Sequence, residues 1–161
     1  MRVGVVSDTH NHLPNVARIV ALFREARVER VIHTGDITQP KTLDAFAVLD
    51  VPLVAVYGNN DAERPGLEAA ASRHGMELCE PPLELHWAGR CILVVHDPLE
   101  LDLHLARHHD VALHGHDHQH VVDQRGETLV FNPGECAGHM PGRNAVGVLD
   151  LARLEAELLR F

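Results

Sequence analysis

Over its first 75 residues the chain alternates short apolar runs with amphipathic stretches. Residues 3–6, 30–32 and 53–57 read as buried strands, because each is short, apolar and rich in β-branched side chains. Between them, Pro14 opens a helix with Val16, Ile19, Val20 and Phe23 on one face. Pro40 opens a second, with Leu43, Phe46 and Ala47 together, and residues 65–74 form a third that Gly75 ends. A β-α-β-α-β-α order implies a parallel sheet, since each crossover helix returns the chain to the same end of the layer.

The second half changes style. Residues 83–87 alternate polar and apolar, as a half-exposed strand does, and Ala88-Gly89 can turn them into a second run at 91–95. Residues 99–108 are read as a helix, although their leucines also alternate like a strand. Residues 111–113 are a short buried strand, and 120–124 with 128–131 form a hairpin around Arg125-Gly126. Residues 145–151 and 154–161 are a last pair of strands. The expectation is one α/β domain over residues 1–161, with two packed sheets and helices outside.

Composition narrows the class. Lys and Arg total 14 against 23 Asp and Glu, a net charge of −9 that argues against a nucleic-acid polymer as partner. No apolar run is long enough to span a membrane, and no secretory signal is expected at the start. Cys79, Cys91 and Cys136 are odd in number and widely spaced, so they read as small buried hydrophobes in a reducing cytoplasm. A homo-oligomer is left open. Histidine stands out: there are 14, and eight fall between His96 and His120.

Position gives these residues meaning. The first strand runs into Asp8 and His10, the second into Gly35-Asp36, and the third into Gly58-Asn59-Asn60-Asp61. The run at 91–95 leads to His96, and that at 111–113 to Gly115-His116-Asp117-His118. Five strands thus end on ligand-type residues, where functional loops of α/β sheets collect. Packing alone does not account for that pattern, and two close imidazoles are costly to bury without a shared cation. Asp8, His10, Asp36, Asn59, His96, His116 and His118 make seven donors, too many for one ion but suited to two that share a carboxylate. Imidazole, carboxylate and amide without sulfur suit Mn²⁺ first, with Fe, Zn²⁺ or Ni²⁺ as alternatives. Paired ions about 3.5–4 Å apart are the usual clamp for phosphoryl transfer.

The five motifs, in this order, resemble those of the calcineurin-like metallophosphoesterases. The short chain and Asn132-Pro133-Gly134 are similar to the small YfcE-type phosphodiesterase branch. The resemblance implies a four-layer α/β/β/α sandwich of two mixed β-sheets flanked by helices. It implies that Asp8, His10 and His118 bind one metal, that Asn59, His96 and His116 bind the other, and that Asp36 and a hydroxide bridge them. It also implies a metal-dependent phosphodiesterase of small substrates, with Asp36, Asn59, Asn60 and His96 as catalytic positions. A phosphomonoesterase and a non-catalytic metal-binding scaffold are the alternatives; a nuclease ranks below them.

Four positions depart from the family pattern. Asn60 stands where many members have a His that serves the leaving group, and an amide is no general acid near neutral pH. Asp97 replaces a Gly after His96. Glu135 replaces a Ser, where a carboxylate would repel a phosphate or bind a sugar hydroxyl. His120 reads equally as support for the site or as a half-exposed strand residue. Asp61 is expected to orient the metal loop, and His12 and His33 to border the site, with His114 reading either way. His74, His86, His104, His108, His109 and His139 are assigned to surface or packing.

Overall fold

The structure, a computed structural model, describes residues 1–161. Three strands, β1 (Arg2–Val6), β2 (Arg30–His33) and β3 (Leu53–Val56), lie side by side and parallel. They are joined by α1 (Leu13–Glu25) and α2 (Pro40–Phe46). α3 (Arg64–Arg73) leads into β4 (Glu77–Cys79), which adds in parallel beyond β3. That strand was not anticipated: three residues with one strongly apolar side chain carry no periodic signal.

The second sheet holds β5 (Leu83–Trp87), β6 (Arg90–Val94), β7 (Val111–Leu113), β8 (Val121–Arg125) and β9 (Thr128–Asn132), in the order β5-β6-β7-β9-β8. Its middle three strands are parallel and its edge strands antiparallel. The chain then returns to the first sheet as β10 (Ala145–Asp150) and β11 (Glu155–Arg160), giving the order β11-β10-β1-β2-β3-β4.

Strand periodicity sorts the core. Successive residues of a strand face opposite sides, so Val6 meets the helices while Val3 and Val5 meet the second sheet. Val16, Ile19 and Phe23 of α1 and Leu43 and Phe46 of α2 pack on the outer face of the first sheet. Ile92, Val94, Leu113 and Phe131 close the space between sheets against Val5, Ile32 and Val56. Two glycines make room for rings: a Cβ on Gly4 would stand 2.8 Å from Phe23 Cζ, and one on Gly147 would overlap Phe131. The α/β/β/α sandwich is therefore borne out.

Its fourth layer is thin. The helix expected over residues 99–108 shrinks to one 3₁₀ turn, Pro98–Glu100, and α4 (Leu101–His104). Only Leu101 of this segment is buried, on Leu93, Val95, Ala112 and Val130. Leu99 and Leu103 point to solvent, so no apolar stripe exists to prolong the helix, and Leu105 turns extended.

Candidate metal centre

All five loops meet at one rim, and main-chain bonds lock them together. Asp8 N–H donates to Gly35 C=O at 3.1 Å, His10 N–H to Asp36 C=O at 3.0 Å, and Gly115 N–H to His96 C=O at 3.0 Å. The connection between β9 and β10 is tied to the first loop as well, because Cys136 N–H donates to Asp8 C=O at 3.2 Å.

The seven expected donors fall into two clusters. In the first, Asp8 Oδ1 lies 3.3 Å from His118 Nε2 and 3.9 Å from His10 Nε2. In the second, Asn59 Oδ1 lies 3.0 Å from His96 Nε2 and 2.9 Å from His116 Nδ1. Asp36 stands between them, with Oδ2 3.4 Å from His10 Nε2 and Oδ1 3.6 Å from His96 Nε2.

The donors are unsatisfied in the way a cation would satisfy. Asp8 Oδ2 accepts from Ser7 Oγ–H and from His116 N–H, but buried Asp8 Oδ1 and His10 Nε2 have no hydrogen-bond partner. Buried polar atoms are rarely left so. His96 donates Nδ1–H to Thr34 C=O at 2.8 Å, so Nε2 keeps its lone pair and turns it toward Asn59 Oδ1, itself a lone-pair atom. Two acceptors face each other, which a shared positive ion explains. Burial lowers the His10 pKa despite the nearby Asp36 and Asp8, which favours the neutral ligand form. Burial works to raise Asp36, yet two bonds from Asn60 and the imidazoles of His96 and His10 hold it below the usual carboxylate range.

The calcineurin-like phosphoesterase superfamily domain matches residues 1–153. The chain belongs to the calcineurin-like phosphoesterase superfamily. It is 33% identical over 159 residues to phosphodiesterase MJ0936 of Methanocaldococcus jannaschii, covering 96% of each chain. It is 26% identical to phosphodiesterase YfcE of Escherichia coli, covering 93% of this chain and 88% of that one. The solved structure of an archaeal phosphodiesterase superposes with a TM-score of 0.92 at 31% identity, over the full length of both chains.

In this calcineurin-like phosphoesterase the residues around the donors explain how they are held. Asp61 accepts three backbone N–H groups, from Gly58 at 2.7 Å, Asp36 at 3.0 Å and Thr38 at 2.6 Å. It therefore pins the second loop to the third; burial pushes its carboxyl up, and those bonds pull the other way. His33 is driven by burial to about 3 and stays neutral, accepting Gly35 N–H and donating to Thr9 Oγ1 at 3.0 Å. His12 caps α1, its Nδ1 accepting Asn15 N–H. His114 is buried behind the fifth loop, its Nδ1 3.2 Å from Gly115 C=O.

The four departures resolve differently. Asn60 lies on Asp36, donating N–H to Oδ1 at 2.9 Å and Nδ2–H to Oδ2 at 2.7 Å. Asp97 is a cap, accepting Leu99 N–H. His120 supports the loop, Nδ1 lying 2.6 Å from Pro133 C=O. Glu135 does not face a substrate, which corrects the expectation. It is fully buried, and its oxygens accept His139 N–H at 3.2 Å and Met140 N–H at 2.7 Å. Its Oε2 also lies 3.9 Å from His118 Nδ1, on the side away from Asp8, a charged contact too long for a hydrogen bond.

His139, assigned to surface or packing, is exposed, and its ring also stacks on His118 at 5.6 Å and stands 5.2 Å from His10. The only sequence hint was the four-residue spacing from Glu135. Glu135→Ala should strip two backbone N–H groups of their acceptor and loosen the loop that stacks His139 on the His118 ring. Metal affinity at the first cluster is expected to fall about 10–100-fold, measured by Mn²⁺ titration. Unchanged affinity would show that His118 is held without it.

Proposed function

We propose that this chain hydrolyses small phosphodiesters at a two-metal centre. Asp8, His10 and His118 would hold one ion, Asn59, His96 and His116 the other, with Asp36 shared; Mn²⁺ is first choice, then Fe, Zn²⁺ or Ni²⁺. The carrying observation is Asp36, whose two oxygens face separate imidazole clusters at 3.4 and 3.6 Å. Bound there, the ions supply Lewis-acid charge to the phosphoryl group and lower the pKa of the attacking water.

The protein's own part is positioning. Thr34 C=O fixes His96, and Asn60 orients the Asp36 carboxylate by donating to both of its oxygens. Beside the second cluster lies an open cleft that includes Arg64, Glu80, Asp97 and Glu100. Arg64 is its one permanent cation and Glu80 engages it, so the cleft suits a singly charged small ester better than a polyanion. The three free cysteines support a reducing, cytoplasmic setting.

Chelation should abolish hydrolysis of bis-p-nitrophenyl phosphate, and Mn²⁺ should restore it, with p-nitrophenyl phosphate turned over more slowly. No diester hydrolysis with any of the four metals overturns the proposal. No titratable acid occupies position 60, so rates should fall steeply as the leaving group becomes more basic. Asn60→His is expected to raise turnover of poor leaving groups by up to about 10²-fold. A flat leaving-group series for the parent protein would sink that reading.

A further inference from the structure

A second set of ligand-type side chains lies at the other end of β6. Cys91 is five residues before His96, roughly 16 Å away along an extended strand. Leu85 and Ile92 face the space between the sheets, so Glu84, His86 and Cys91 face outward, with His86 directly opposite Cys91. The loop after α4 brings His108 and His109 over them. Asp110 fixes that loop: its N–H donates to Cys91 C=O at 2.9 Å, and its Oδ2 accepts Cys91 N–H at 2.8 Å. Thr128 Oγ1–H donates to His109 C=O at 2.7 Å from the other side.

The result is a tight group. Ligand atoms of Glu84, Cys91, His108 and His109 all lie within 4.8 Å of one another. His108 and His109 place Nε2 at 3.0 and 2.9 Å from the same oxygen, Glu84 Oε2, while His86 Nε2 sits 3.0 Å from Oε1. The sequence assigns these histidines to surface or packing, and of the three only His109 is buried.

The two loop histidines differ in chemistry. His109 Nδ1 accepts Ala106 N–H at 3.0 Å, so its Nε2 carries the proton and donates to Glu84. His108 is more than half exposed and its Nε2–H donates to Glu84, so to ligate it must carry its proton on Nδ1 instead. Burial and the Glu84 carboxylate push the Cys91 thiol up, so a metal must displace its proton to solvent on binding.

We propose that Glu84, Cys91 and His108 bind one divalent ion of the zinc class, with His109 positioning the carboxylate and water completing the shell. Sulfur with imidazole and carboxylate selects Zn²⁺, Co²⁺ or Ni²⁺ over Mn²⁺. The ion would clamp the loop before β7 onto the β5–β6 hairpin, independently of the catalytic rim.

Sulfur makes the site separately visible, because the rim donors include no thiolate. Titration of the Mn²⁺-loaded protein with Co²⁺ should produce the sulfur-to-cobalt charge-transfer absorption in the near ultraviolet, saturating at one equivalent. Cys91→Ser should remove the band, and His108→Ala, at an exposed position, should weaken the Co²⁺ affinity that it reports by about 10-fold or more. Mn²⁺-dependent hydrolysis should be unchanged in both. Saturation with Co²⁺ without the band overturns the proposal, as does a band that survives Cys91→Ser or an affinity unaltered by His108→Ala.

Discussion

Replacing Asp36 with Asn is expected to slow hydrolysis of bis-p-nitrophenyl phosphate by about 10³-fold, about 4 kcal/mol of transition-state stabilisation. The exchange keeps size and shape and removes one charge. Asp36 Oδ2 faces His10 and Oδ1 faces His96, so both clusters lose their common anion together. An amide has one oxygen to offer, so only one cluster can keep an oxygen donor from this position. Elemental analysis of the purified variant should show fewer bound ions than the parent, with unchanged circular dichroism. A variant that keeps two ions and most of its rate would remove Asp36 from its shared position.

Gly35→Ala should be nearly as damaging, by a different route. Gly35 has φ +110°, where a side chain is strained at a cost of about 1–3 kcal/mol. There is also no space: a Cβ would stand 2.9 Å from Gly58 Cα and N and 2.5 Å from His96 Nδ1. Gly58 offers backbone atoms, which cannot swing aside, and the His96 ring is tied to Thr34 C=O. Together about 3 kcal/mol of destabilisation is expected, a fall of roughly 6–12 °C in melting temperature for a domain of this size. Metal affinity at the His96 cluster should drop with it. A thermal shift under about 2 °C would show that the second and third loops can move apart freely.

Legibility in the sequence followed periodicity and adjacency. The alternation of Val, Ile and Leu runs with Pro-initiated helices gave the first sheet, and each donor follows its strand by a few residues, so the rim could be read directly. Residues that act across the fold could not. Glu135 looks like a loop carboxylate until His139 and Met140 are seen to donate to it. Asn132 enters the sequence reading only through Asn132-Pro133-Gly134, but in space its Nδ2–H reaches Asp117 Oδ1 at 2.7 Å. The segment at 99–108 misled because its leucine spacing fits a helix, while burial of Leu101 alone decides how far the helix runs. The cluster around Glu84 draws on β5, β6 and a distant loop, so no local spacing announces it.

The backbone at the rim carries one more implication, for how the protein trades shape against work. Asp8, His10, Asp36, His116 and His118 all have φ between 41° and 71°, a region that side chains other than glycine rarely occupy. At about 1 kcal/mol each, these five positions withhold on the order of 5 kcal/mol from a domain whose whole stability is about 5–15 kcal/mol. Glycine at any of them would relax the chain and remove a proposed metal ligand. The loops are therefore less stable than this framework could make them, and selection for heat resistance alone would erode the proposed metal rim before the core.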